Sequence, residues 1–445
     1  TILTITVSQH ESGTIWVGSD DGLIHVTRND GKNWNEVTPR DLRGAMVNSI
    51  EVSPHDPGTA YVTVTGYKMN DFKPYIYKLT DFGRRSKRID KDLPDDNFIR
   101  VVREDPERQG LLFAGGEVSI YVSFDDGNHW QSLGFNLPSV PVTDLAIRQN
   151  NLVAATQGRA FWILDDLSIL RQIRNDILDK PLHIFNPIPV EMIKSSESSE
   201  DPGDKTPPEG KNPPRGVVLH YYIRDEQESP LTIEIIDSDG NNVRTYSSEE
   251  GDFEKCIIAN MDQRLPFEVE YPPKEQGVNK WTWNMRRNGL HCIKDIRLFE
   301  GFAGAYVIPG TYQVHISIGD TEDTVTLTLF ADRRIETDSH EAIEVEQKIQ
   351  EVTSLINELL NALTAIRKSR AQIEALMTDF PDSESLQNTG RRAIERLSIW
   401  EEKTVQVEFE TYEDEDNLPG KLIKQVRHLL DVIDDAGPPI AAGAL

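Results

Sequence analysis

The stretch Tyr67-Lys68-Met69-Asn70-Asp71-Phe72-Lys73-Pro74-Tyr75 concentrates groups suited to recognising another molecule. Aromatic faces stack on sugar rings, and Tyr and Asn supply hydrogen bonds to hydroxyls. Tyr67, Asp71 and Tyr75 are therefore candidate ligand-binding residues for a glycan or peptide. The plainer alternative is that these rings pack on a neighbouring element. Arg100 and Arg159 join the candidates, because with Arg103 they could face a common channel. A sialidase would couple such arginines to a tyrosine nucleophile with a partner glutamate, and nothing pairs them with Tyr67, Tyr75 or Tyr77. A glycosidase needs two carboxyls, ~5–5.5 Å apart for retention or ~6.5–9.5 Å for inversion. Asp20, Asp21, Asp71, Asp95, Asp96, Glu117, Asp144, Asp165 and Asp166 are available for such a pair. Asp20-Asp21-Gly22 and Asp95-Asp96 read more economically as turn and loop residues. No catalytic pair is singled out.

Other chemistries find little support. The ten histidines form no His-x-x-x-His or His-Glu-x-x-His, and the two cysteines rule out a cysteine-based zinc site. Calcium could sit on Asp20-Asp21 or Asp165-Asp166, but such loop carboxylates are usually just solvated. No metal and no cofactor is expected. A Walker loop, a dinucleotide fingerprint and a Gly-x-Ser-x-Gly elbow are all lacking. Lys+Arg total 47 against Asp+Glu 74, a net charge of −27. That balance argues against nucleic acid or an anionic membrane as the main partner, since both need clustered cations. No run approaches the ~18 apolar residues of a membrane span, so no membrane insertion is expected, and no secretory leader is visible. The chain begins at Thr1 with a strand-like run, which reads as a piece of a longer protein.

The elements that would position these residues begin with a repeat. Asp30-Gly31-Lys32-Asn33-Trp34 returns 96 residues later as Asp126-Gly127-Asn128-His129-Trp130, with a degenerate Thr80-Asp81-Phe82-Gly83 between them. A period near 48 is that of one four-stranded propeller blade. Each unit has an upstream strand: Gly13–Gly18, Gly58–Val62 and Gly110–Gly115, then Asn151–Ala155 and Phe161–Asp166 in a shorter fourth unit. In each Asp-Gly turn the Asp side chain is expected to accept backbone N–H groups and the Trp to pack beneath. Ser86 stands where the second Trp belongs, so that blade should be less well anchored.

The period-2 pattern of residues 217–334 suggests a small sandwich of immunoglobulin type. Its Trp281-Thr282-Trp283 run should send one Trp to the core and the other outward. Cys256 and Cys292 lie here, and a single disulfide or two thiols are equally compatible. From Ser339 the apolar period becomes 3.6. Val345 to Met377 mark one helix, Leu386 to Val407 a second, and Leu418 to Ile433 a third. The fold class expected is therefore mainly β and multidomain. Residues 1–175 are the closing blades of a propeller, 176–216 a connecting segment and flexible linker, 217–334 the sandwich, and 338–436 a helical hairpin or three-helix bundle.

The Asp-box units resemble those of the bacterial sortilin-like, BNR-repeat propeller proteins often labelled glycosyl hydrolases. So do Thr14-Ile15-Trp16-Val17-Gly18-Ser19-Asp20-Asp21-Gly22-Leu23 and Gln157-Gly158-Arg159-Ala160-Phe161-Trp162-Ile163-Leu164-Asp165-Asp166. The run Asn212–Tyr222 and the closing helix Leu418–Val432 resemble that family's C-terminal half. Gln157 stands where such proteins often carry His. The resemblance implies a long, usually exported chain, secreted or periplasmic, whose first blades precede Thr1 and partner the blades seen here. Two functions follow from it: an exported propeller that binds glycan or peptide ligands, or part of a xyloglucanase- or sialidase-like glycoside hydrolase with some catalytic carboxylates upstream.

Overall fold

The computed structural model describes residues 1–42, 44–193, 213–260, 270–294, 296, 298, 301–334, 339–408 and 414–436. It divides into two compact units, Thr1–Ile173 and Arg174–Leu445.

The first unit is a row of four antiparallel sheets, each built from consecutive strands. Blade 1 holds β1 (Ile2–Val7), β2 (Ile15–Ser19), β3 (Ile24–Thr27) and β4 (Asn35–Glu36). Blade 2 holds β5 (Met46–Val52), β6 (Ala60–Gly66), β7 (Asp71–Thr80) and β8 (Arg85–Arg88). Blade 3 holds β9 (Ile99–Glu104), β10 (Leu112–Gly116), β11 (Ile120–Ser123) and β12 (Gln131–Ser132). Blade 4 is three-stranded, with β13 (Val142–Arg148), β14 (Asn151–Thr156) and β15 (Phe161–Leu164). The first strands of successive blades are neighbours, so they line the inner side of a propeller fold.

A blade between two others buries both faces, so successive residues of its strands can all be apolar. Tyr61 packs with Val102, Leu112 and Trp130 of blade 3, while Ala60 and Val62 pack with Trp16 and Ile24 of blade 1. Val101 and Phe113 do the same with Leu145 and Ala154 of blade 4. Each such side chain stabilises the seam by roughly 1.5–3 kcal/mol.

The Asp-Gly turns differ from expectation in which residue accepts. Thr27 Oγ1 takes the amides of Asn29 and Gly31 at 3.3 and 3.1 Å, and Asn29 Oδ1 takes that of Asn33 at 2.9 Å. Ser123 and Asp125 repeat the pattern, with the His129 amide 2.9 Å from Asp125 Oδ1. Asp30 and Asp126 instead adopt left-handed backbone, φ 56° and 62°. Their amides reach back to the carbonyls of Gly13 and Gly110. Short polar side chains tolerate that conformation, which explains Asp in the slot. The tryptophans also differ. Trp130 is 6% exposed, and its indole donates to the Ile89 carbonyl of the preceding blade at 2.5 Å. Trp34 is 43% exposed. Ser86 is exposed too.

After blade 4 comes α1 (Ser168–Gln172). Arg171 Nε bonds both oxygens of the buried Asp105 at 3.0 Å. Arg108 donates to the carbonyls of Leu170 and Ile173 at 2.6 and 2.9 Å. These bonds latch the helix to blade 3.

The second unit starts with α2 (Asn175–Leu178), β16 (Leu182–Ile184) and β17 (Val190–Glu191), so the segment expected to be only a connection supplies strands. The linker at 194–212 lies outside the described residues. Next come β18 (Val217–Ile223), β19 (Leu231–Ile236), β20 (Asn242–Ser247), α3 (Asp252–Asn260), β21 (Gly277–Trp283), β22 (Gly310–Ile318) and β23 (Thr321–Phe330). Their sheets run β16-β18-β21 and β17-β23-β22-β19-β20 and share one core. Trp283 is fully buried there, and Trp281 packs against the same core with an edge-to-face contact to Tyr246 at 5.3 Å. Residues two apart on a strand share a face, which corrects the opposed placement expected of the pair. Cys256 of α3 and Cys292 form a disulfide.

The helices are α4 (Ser339–Asp379), α5 (Glu384–Thr404), α6 (Asp414–Asn417) and α7 (Leu422–Ala436). Val407 and Leu418, read as helical, fall outside them. Val345, Ile349, Ile356, Leu363, Ile423 and Ile433 share a second core. The buried Glu401 of α5 holds Arg367 and Arg370 of α4, each at 2.7 Å. Among the described residues no helix is long and apolar enough to cross a membrane.

Candidate functional site

In an up-and-down meander, alternate connections emerge at the same end. The turn between the second and third strands of a blade therefore lies beside the connection leading to the next blade. At that end of blades 2 and 3 the aromatic residues collect.

Tyr67 opens a single 3-10 turn, Tyr67–Met69, closed by Asn70 in left-handed backbone with φ 62°. Its ring stacks on Phe98 of the next blade at 5.3 Å and 19°. Phe72 lies 6.3 Å from the same ring. The Arg100 guanidinium sits 5.0 Å from the Phe98 centroid, within cation–π range. Its Nε and Nη2 donate to Glu117 Oε2 at 3.0 and 2.8 Å. Behind them, the buried Asn97 takes the Glu117 amide at 2.7 Å and donates to the Tyr121 hydroxyl at 2.5 Å. The connection into blade 3 is thus bonded to the β10–β11 hairpin, the β6–β7 hairpin meets it through the Tyr67–Phe98 stack, and Tyr67, Met69, Phe72 and Val118 remain exposed. The result is an aromatic shelf with an oriented cation at its side.

Asp71 and Tyr75, also expected in the site, bond each other at 2.7 Å. That bond draws the Asp71 carboxyl below its usual range and, with burial, pushes the Tyr75 phenol up to about 12. Arg88 covers the Tyr75 ring at 4.7 Å. The pair fastens its hairpin and supports the shelf from behind. Arg159 lies exposed on the β14–β15 turn, where its carbonyl takes the Trp162 indole at 3.0 Å. No described contact joins it to the shelf.

Arg103 has partners of its own on the inner strands. It lies 3.4 Å from Glu51 and 2.8 Å from Asp144, and donates to the Leu145 carbonyl at 2.8 Å. Burial pushes the Glu51 carboxyl up to about 7, against the pull of Arg103. Among the other carboxylates considered, Glu117 is committed to Arg100, and Asp166 accepts the Ser168 amide at 2.9 Å. Among the described residues no cluster of His, Cys, Asp and Glu could hold a metal ion.

Phe98 and Glu51 escaped the reading of the sequence. Phe98 contacts the shelf only across a seam between blades, which has no local signature. Glu51 did leave a signal, as a charge inside the apolar run Ile50-Glu51-Val52.

No protein-family model matches the chain, and no curated protein matches it. The solved structures it is similar to are β-propeller proteins. One is YCF48 bound to D1 peptide, at 20% identity and TM-score 0.29, covering 37% of this chain and 50% of that one. Another is the Niastella koreensis GH74 enzyme, at 10% identity and TM-score 0.31, covering 73% and 49%. A third is the extracellular domain of a B. thetaiotaomicron protein described as a hybrid two component system, at 11% identity and TM-score 0.30, covering 74% and 44%. The chain thus matches half or less of the length of each.

Proposed function

We propose that this chain is the binding portion of an exported propeller protein, with a glycan or peptide ligand taken on the shelf between blades 2 and 3. The observation that supports this is the pair of exposed rings Tyr67 and Phe72 seated on the buried Phe98 ring, with Arg100 at their side. A rigid aromatic surface gains contact area at small entropic cost. Tyr67 and Arg100 would touch the ligand. Asp71 and Tyr75 would hold the hairpin, and Arg159 would serve only a ligand long enough to reach blade 4. On this reading residues 1–175 are Asp-box blades of the sortilin-like type, 176–216 a connection that lends β16 and β17 to the sheets after it, 217–334 an immunoglobulin-like sandwich and 338–436 a helical bundle. A further blade of the parent chain would cover the leading face of blade 1, where Leu3, Ile5, Val7 and Trp34 are exposed. The Cys256–Cys292 disulfide fits an oxidising compartment.

The test is a glycan and peptide array probed with the chain and with Tyr67→Ala and Phe72→Ala. Binding that falls at least about tenfold in both variants, with folding intact, is the expected result. Binding equal in all three would sink the shelf as the site.

The hydrolase reading keeps one supporting observation: burial, with the charge of nearby Asp144, pushes the Glu51 carboxyl up to about 7. A carboxyl raised toward neutrality is what a general acid requires. Against it, Arg103 already pairs with both carboxylates, at 3.4 and 2.8 Å. Reducing-end release from β-glucans, xyloglucan or sialylated glycans that is abolished by Glu51→Gln would reverse that preference.

A further inference from the structure

Blade 2 lacks the tryptophan that seals blade 3 against its predecessor, yet the seam that would receive it is built alike. Val37 follows β4 as Ile89 follows β8, and their amides donate to the Ile24 and Ile76 carbonyls at 2.8 and 2.9 Å. Gly83 presses on Val37 as Gly127 presses on Ile89. A Cβ on either glycine would meet that side chain at 2.4 or 2.6 Å. Between blades 2 and 3 the Trp130 indole fills the adjoining space and donates to the Ile89 carbonyl. Between blades 1 and 2 the corresponding position belongs to Ser86, and a cleft of about 580 Å³ opens there. That volume lies within the range of small-molecule sites.

Two kinds of lining meet in the cleft. Val26 and Val37 form an apolar wall, and Arg28, Arg40 and Arg84 bring positive charge against Glu36 and Asp81. Arg28 also pairs with Glu11 at 3.3 Å and Arg84 with Asp81 at 3.6 Å, so three guanidiniums balance three carboxylates here in a chain that carries −27 overall. The Arg28 guanidinium lies 3.7 Å from the Phe82 ring centroid, and its side chain is half exposed. A guanidinium plane of this kind stacks readily on a second aromatic ring.

We propose that this cleft is a binding site for small planar aromatic anions. The ring takes the place an indole holds in the next seam, against Val26 and Val37, with a ring N–H directed at the Val37 carbonyl. The anionic group meets the arginines.

Indole-3-acetate is the probe, titrated into the full chain by calorimetry, with indole and acetate as separate arms. Saturable binding of indole-3-acetate at least about threefold tighter than indole, and no saturable binding of acetate, is expected from adding a charge-assisted contact to the ring's seat. Ser86→Trp, which fills the seat, should weaken binding at least about tenfold. The pair Arg28→Gln and Arg84→Gln should bring indole-3-acetate to the affinity of indole and leave indole unchanged. Should Ser86→Trp lose its near-ultraviolet circular dichroism, Ser86→Leu occupies the same space and carries the same expectation. Absence of saturable indole-3-acetate binding, or binding undiminished when position 86 is filled, overturns the proposal. Equal affinity for indole and indole-3-acetate overturns the anion preference.

Discussion

Trp34 and Trp130 occupy the same slot of the same turn, yet one is open to solvent and the other closed within a seam. Their hairpins do not differ: a hydroxyl and an amide or carboxylate oxygen take the same backbone amides in both. The difference lies outside the motif, in whether a preceding blade stands where the indole points. Trp130 meets Ile89 and Tyr61 of blade 2, and on blade 1 Trp34, Leu3, Ile5 and Val7 are exposed. The motif therefore has two separable parts. Its oxygens shape the hairpin, and its tryptophan joins that hairpin to the blade before it.

The largest expected effect tests that division. Trp130→Ala should cost about 3–5 kcal/mol, the price of a large core truncation, and Trp34→Ala under about 1 kcal/mol, as at an exposed site. Urea unfolding of the two variants checks it, and equal losses would break the comparison. Next, Gly127→Ala and Gly83→Ala should each cost roughly 2–3 kcal/mol. Both glycines have left-handed φ, 78° and 84°, and both press on the preceding blade, so a methyl is strained twice. Similar losses in thermal unfolding would show that the two seams share a backbone whether or not a tryptophan fills them.

Glu51 gives a pH-dependent test. Its carboxyl rises from 4.5 to about 7 on folding, so the folded state favours the protonated form. The stability it contributes is fully present below 4.5 and lost as pH rises through about 7. Glu51→Gln, which stays neutral, should then be more stable than the parent by about 3 kcal/mol at pH 8 and indistinguishable near pH 4. An advantage that does not grow with pH would mean that the Arg103 pair outweighs burial. The smallest effect is the most even-handed. Asn29→Ala and Asp125→Ala should each cost about 1 kcal/mol, because the hairpin bonds are alike wherever the tryptophan ends.

How much of this was legible in the sequence follows the range of each interaction. Strands and turns of the blades depend on alternation and on residues within one hairpin, and a repeat near 48 residues displayed them. The long helix α4 was visible in its 3.6 period from Val345 onward. Contacts between distant segments were not visible. The Phe98 ring beneath Tyr67, the Arg171–Asp105 bond and the Cys256–Cys292 pairing each join residues at least 31 apart along the chain. Even within the motif, the reach of Trp130 to Ile89 was hidden, and the indole was read as packing under its own turn. Of the candidate site, Tyr67 and Arg100 were named from chemistry alone, but the ring that unites them was not.

The bonds of Arg108 and Arg171 around α1 have a mechanical side. A pull on the chain beyond Ile173 is met first by guanidinium groups gripping the carbonyls of Leu170 and Ile173 and the carboxylate of Asp105. The load passes to blade 3, which is packed on both faces, and to the β13–β14 turn of blade 4 through Asn150. The latch thus works as a strain relief, and stretching the chain from its ends should detach α1 only after Arg108 or Arg171 has let go.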